Sequence, residues 1–143
     1  MKKGIDCVGV CVVFFCHDGK GNVILGKRSS KARDERATWD IGGGGVELHD
    51  SVIDTLKNEI KEEYDCDVLN YEFLGYRDVH RVHEGVKTHW VALDFKVLID
   101  PKQMKNMEPE KKDDVKLFPL TQIPKEVHSQ LPYFMEKYEE HLK

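Results

Sequence analysis

The chain has 143 residues, enough for one domain spanning 1–143 and too few for a second. With 40% hydrophobic and 34% charged residues, its composition excludes a disordered or fibrous chain and predicts a highly soluble globular one. A formal net charge of −4 provides no electrostatic footprint for nucleic acid, and it would repel a polyphosphate unless a cation or a local basic patch intervened.

Met1-Lys2-Lys3 ahead of the apolar run Cys7 to Cys16 mimics a signal peptide. Asp6 precedes the run, however, no small-residue cleavage site follows it, and it is about half the length a bilayer demands. A buried strand over Cys7–Phe15 is expected instead, followed by a turn at His17–Asn22 and a short strand at Val23-Ile24-Leu25 that pairs with the first as a hairpin. Cys7, Cys11, Cys16 and Cys66 form no CxxC pair, so free thiols in a reducing compartment are expected, with the cytoplasm as location and no membrane partner.

Lys27, Arg28, Lys31, Arg33 and Arg36 make a basic surface loop interrupted by Asp34 and Glu35. Trp39-Asp40-Ile41 then leads into a loop of four glycines, Gly42 to Gly45, and Ile53, Leu56 and Ile60 recur at helical spacing across Ser51–Tyr64. Asp50 or Ser51 caps that helix and Asp65 stops it. Strands are predicted at Val68–Val79 and Thr88–Val97 around a turn at Arg81–Lys87. A polar linker at Asp100–Lys112, a strand at Val115–Phe118 and a final helix at Lys125–Leu142 complete the chain.

The chemistry concentrates between Gly43 and Glu63. Residues spaced i, i+3 and i+4 share a helix face, so Glu59, Glu62 and Glu63 cluster beside the apolar stripe. A solvated acidic face, supported by Lys57 and Lys61, is the plain reading; a hard divalent cation with oxygen ligands is the functional one. The glycine run favours the second, because glycines are costly to keep without a geometric use and permit close backbone approach to a ligand. It lacks the Lys-Ser/Thr ending of a P-loop and the setting of a dinucleotide fingerprint. His80, His83 and His89 suggest zinc only weakly, since His80 and His83 fall on opposite faces of a strand.

Gly44, five residues, Asp50, seven residues and then Asn58-Glu59-Ile60-Lys61-Glu62-Glu63-Tyr64-Asp65-Cys66 resemble the Nudix box, G-x5-E-x7-R-E-U-x-E-E-x-G-U with U apolar. The Glu-U-x-Glu-Glu core is complete; Asp50, Asn58 and Asp65 replace the box's Glu, Arg and Gly, and Asn58 removes an arginine that in the family braces a catalytic carboxylate. The resemblance implies an α/β (α+β) fold, an α/β/α sandwich around a mixed β-sheet. It also implies that Glu59, Glu62, Glu63 and the Gly43 carbonyl bind Mg²⁺, with Mn²⁺ as a substitute, and that Glu59, Glu62 and Glu63 carry catalysis. The substrate class it implies is a nucleoside diphosphate linked to another group. The stretch from Glu108 to Pro124 is similar to a segment of relatives acting on nucleoside triphosphates, which favours pyrophosphohydrolysis; ADP-ribose, a dinucleoside polyphosphate and a non-catalytic nucleotide-binding module stay open, as does a homodimer. Arg28, Arg36 and Glu110 are the expected substrate contacts, with Arg33 a further arginine able to meet phosphates; Glu59 is the first choice for the proton acceptor and Glu62 and Glu110 its competitors.

Overall fold

The molecule is organised around one strand. In the computed structural model, which describes residues 1–143, β1 (Gly9–His17) alternates Val12, Phe14 and Cys16 toward one face and Val13 and Phe15 toward the other. Both sets are apolar because helices cover both faces, as in a buried strand of an α/β protein. A parallel partner, β6 (Val86–Leu98), runs beside β1 from Gly9↔Trp90 to His17↔Leu98.

The glycines depart from expectation. They form a strand, β4 (Gly42–Gly45), antiparallel to β1 from Cys11↔Gly45 to Phe14↔Gly42. Because β4 takes that edge of β1, the predicted hairpin survives only at its base, where β2 (Asn22–Arg28) meets β1 at His17↔Val23. From there β2 pairs with β7 (Lys112–Pro119), bulging between Lys27 and Arg28, and with the two-residue β3 (Trp39–Asp40). The outer strand β5 (Asn70–His83) completes a seven-stranded mixed sheet. Its hairpin with β6 is longer than predicted, and the turn shrinks to Glu84-Gly85, both at positive φ (50° and 79°), as a two-residue turn matched to the strand twist requires.

Helix α1 (Val52–Tyr64) packs Leu56, Ile60 and Tyr64 against Phe14, Phe95 and Val97. Ser51 caps its start, its hydroxyl accepting the Asp54 N–H at 3.0 Å, and Asp65 ends it in the left-handed conformation at φ 59°. The opposite face holds α2 (Leu131–Lys137) and α3 (Glu139–Leu142); their Leu131, Phe134 and Leu142, with Tyr138 at the junction between them, cover Phe15, Val23 and Leu25. The single final helix predicted from Lys125 is therefore shortened and split. Residues before Leu131 pair instead with β3: the Trp39 N–H donates to the Glu126 carbonyl (2.8 Å) and the His128 N–H to that of Trp39 (2.9 Å). Pro132, lacking an N–H, fits the first turn of α2. The result is the α/β/α sandwich the sequence implied. No helix is long and apolar enough to cross a membrane, and all four cysteines are free.

Candidate functional site

Two of the three predicted glutamates face the glycine strand. Glu59 and Glu63, one helical turn apart, point from α1 toward β4, while Glu62 is exposed and lies outside the groove they border. The fit between helix and strand depends on missing side chains: a Cβ on Gly44 would stand 2.2 Å from the Glu59 carboxyl carbon, and one on Gly42 would stand 2.6 Å from the Phe14 ring. The glycines thus bring backbone against carboxylates, and Gly43 lines the same groove.

A third carboxylate arrives from the segment between β6 and β7. The Lys105 N–H donates to the Tyr64 carbonyl (2.9 Å) and the Met107 N–H to that of Glu63 (3.3 Å), so this segment ties down the end of α1. It thereby places Glu108 in the groove, a cavity of about 420 Å³ also bordered by Arg28, Asp40, Lys111 and Lys112. Lys112 donates to Glu63 Oε1 at 2.8 Å and to Glu108 Oε1 at 3.2 Å. A lysine of β7 therefore sits against a carboxylate of a box whose own arginine is replaced by the exposed Asn58.

Satisfaction of the acids is incomplete. Glu63 is only 6% exposed and its Oε2 has no hydrogen-bond partner. Burial pushes its carboxyl up to about 7 despite the opposing pull of Lys112. Burial, then the charges of Glu62 and Glu108, raises Glu59 as well. Crowded carboxylates and an orphaned buried oxygen, beside a backbone with no side chains in the way, form an oxygen donor set that suits a hard divalent cation.

The remaining expected contacts separate from this group. Arg28 borders the groove, but its guanidinium donates to the carbonyl (3.1 Å) and Oδ1 (2.9 Å) of Asp34. Arg36 bonds the Ala32 carbonyl at 2.8 Å and lines a different cleft with Lys31 and His83. Glu110 is exposed, and it is its backbone carbonyl that is used, accepting the Ser29 hydroxyl at 2.8 Å. Asp34 and Glu35, expected only as interruptions of the basic run, also take up Arg81. Arg33 makes no ion pair and borders a second cavity.

That second cavity, about 220 Å³, is lined by Val13, Trp90, Phe134, Arg33 and Arg77 among others, and shares Asp40, Ile41, Gly42 and Gly43 with the carboxylate groove. Asp40 stands at the junction, its carboxyl pushed up to about 7 by burial although the Ile41 N–H donates to it at 2.9 Å. Sequence reasoning passed over Glu108, Lys112, Asp40 and Trp90. For Glu108 and Lys112 a signal existed, since acid and base four apart often pair, but only the fold shows that this pair closes on α1.

The comparisons agree with this geometry. The NUDIX domain model matches residues 7–138. A MutT NUDIX hydrolase from Burkholderia pseudomallei superposes with a TM-score of 0.80 at 22% identity, over 92% of this chain and 98% of that one. The NUDIX domain of Shewanella oneidensis NrtR, complexed with ADP ribose, gives 0.71 at 20% identity, over 100% and 91%. A mutator MutT protein from Bacillus halodurans gives 0.67 at 19% identity, over 90% and 80%. Among curated proteins none matches the sequence significantly. These structures share the fold, and with a family model spanning nearly the whole sequence the chain belongs to the Nudix hydrolases, enzymes that act on phosphorus-containing acid anhydrides and generally use divalent metals.

Proposed function

We propose that the protein is a Mg²⁺-dependent pyrophosphohydrolase that cleaves a phosphoanhydride bond of a nucleoside diphosphate linked to a further group, with nucleoside triphosphates as its first substrates. The observation that carries this reading is the junction of the two cavities at Asp40–Gly43. One offers aromatic and aliphatic walls interspersed with the arginines Arg33, Arg77 and Arg81; the other offers carboxylates and lysines. A nucleotide has the matching halves, a flat base for the first and a phosphate chain for the second.

Glu59, Glu63, Glu108 and the Gly43 carbonyl would hold the cation, with Glu62 at the margin. When bound, a divalent cation neutralises phosphate charge and lowers the pKa of an attacking water. The protein's own part is positioning and charge. Lys111 and Lys112 supply positive charge at the groove. Arg33, with no carboxylate partner, is placed to meet a phosphate or a sugar at the mouth of the second cavity. Glu59, half-buried and with no side-chain hydrogen-bond partner, accepts the proton as water adds to phosphorus and the other phosphate leaves. A second reading, ADP-ribose as substrate, is supported by the fold shared over the whole chain with an NrtR domain complexed with that compound.

The test incubates the purified protein with nucleoside triphosphates, their oxidised or methylated analogues, ADP-ribose and dinucleoside polyphosphates, in Mg²⁺, in Mn²⁺ and in chelator, with Glu63→Gln as control. Metal-dependent release of a nucleoside monophosphate from triphosphates, lost in Glu63→Gln, is the expected result. Preferential cleavage of ADP-ribose selects the second reading. Saturable binding with no cleavage of any compound overturns catalysis in favour of a nucleotide-binding module, with Asn58 as the first residue to revert to arginine.

A further inference from the structure

A second set of metal-capable side chains lies on the β5–β6 hairpin, outside both cavities of the proposed active site. We propose that Asp78, His80 and His89 form a separate site for a borderline divalent cation, with Zn²⁺ as its representative. His80 and His89 stand directly opposite one another in the antiparallel ladder, and Asp78, two residues before His80, shares their face. The two imidazole rings are 4.2 Å apart between centroids, and His89 Nε2 is 2.9 Å from Asp78 Oδ1. One donor atom from each residue lies within 4.8 Å of the other two.

Sequence spacing hides this group, because His80 and His83 are neighbours in the chain while His89 comes from the next strand. The structure confirms that those two face apart: His83 borders the cleft that holds Arg36, while His80's partner comes from the neighbouring strand. Donors on a tetrahedral ion bound at roughly 2.0–2.1 Å lie about 3.3 Å from one another. The three residues stand on a two-strand scaffold whose ladder is continuous through Asp78↔Val91 and His80↔His89, so the approach from 4.8 Å to that spacing falls to their side chains. Asp78 and His80 are exposed and His89 half-buried, so an ion enters from solvent. Three protein ligands leave one position for water.

Donor chemistry separates this site from the groove. Two imidazoles with one carboxylate favour zinc and its first-row neighbours, whereas carboxylates with a backbone carbonyl favour magnesium. The inference is independent of the proposed activity, since neither histidine borders either cavity of the groove.

The experiment titrates Zn²⁺ by calorimetry into the full chain carrying Glu59→Gln and Glu63→Gln, which silences the groove, with and without His80→Ala and His89→Ala. One zinc per chain and a zinc-dependent rise in Tm are expected, both lost with the histidines. Asp78→Asn keeps the hydrogen-bonding shape and should weaken zinc at least about tenfold. If the groove variant folds poorly, the same titrations are run on the native chain in saturating Mg²⁺. The His80→Ala/His89→Ala change in the native chain should leave Mg²⁺-dependent turnover intact. Equal zinc binding with and without the histidines, no zinc-dependent Tm rise in the parent, or an unaltered affinity in Asp78→Asn overturns the site and leaves a cross-strand polar cluster only.

Discussion

Asp94 on β6 and Glu63 on α1 are both carboxylates withdrawn from solvent, at 0% and 6% exposure, and they differ in what surrounds them. Asp94 accepts hydrogen bonds from Arg77 Nε (2.7 Å), Arg77 Nη2 (2.9 Å) and the Tyr138 hydroxyl (2.6 Å). The arginine in turn lies 5.4 Å from the centre of the Phe134 ring. This network ties β5, β6 and the junction of α2 with α3 into one body. Glu63 has a single donor, Lys112, one oxygen without a partner, and the charges of Glu59 and Glu108 nearby. A buried charge with its lone pairs filled holds a structure together; one left short gains when a cation arrives.

Removing each carboxylate should separate the two roles. The largest effect is expected from Asp94→Ala, which leaves Arg77 buried without its partner and should cost about 3–5 kcal/mol of stability, read by chemical denaturation. A loss below about 1 kcal/mol would end the contrast. Glu63→Gln should act the other way round, lowering Mg²⁺-dependent turnover about a hundredfold or more while Tm stays near that of the parent. If Glu63→Gln instead unfolds the protein and spares turnover, Glu63 belongs with Asp94.

Lys112→Met sharpens the comparison from the cation's side. Without Mg²⁺ it should destabilise by about 1.5–3 kcal/mol, the scale of a hydrogen bond to a charged group, because Glu63 then has no donor. With Mg²⁺ most of the loss should return, since a bound cation does the lysine's work; an equal loss in chelator and in Mg²⁺ would show that the lysine and the cation do not share a place.

The last expected effect is on pH dependence. Burial pushes Glu63 and Asp40 up to about 7, above the roughly 4 of unfolded carboxylates. A raised folded pKa means tighter proton binding in the folded state, so the stabilisation is complete below about pH 4 and disappears as pH rises through about 7. In chelator, Tm should therefore fall between about pH 4 and pH 7, with a shallower fall in Glu63→Gln and with Mg²⁺ present. Superimposable profiles under all three conditions would contradict the picture of acids waiting for a cation.

Much of this was legible in the amino-acid order, for reasons that are local. Helix period and capping are properties of neighbours in the chain, so α1 and its stop at Asp65 could be read directly and its cap narrowed to Asp50 or Ser51, as could the placement of Glu59, Glu62 and Glu63 along the edge of an apolar stripe, of which Glu62 proves exposed and outside the groove. The β1 strand announced itself by its unbroken apolar run, and the box spacing carried the family. What the sequence could not decide was partnership across distance. That four glycines are a strand, that β2 leaves β1 for β7, and that Lys125–Gln130 forgoes helix to bond Trp39 all depend on which edge is free once the sheet assembles. The same holds at the site: Glu110 and Glu108 are indistinguishable as loop acids, Arg28 and Arg33 as loop bases. Backbone bonds from the 105–107 segment to the end of α1 bring Glu108 inward, and Asp34 removes Arg28 while leaving Arg33 unpaired. Sequence by itself determined which acids one helix can present; the tertiary structure decided which distant charges meet them, because hydrogen bonding and burial are settled only when separate segments share one surface.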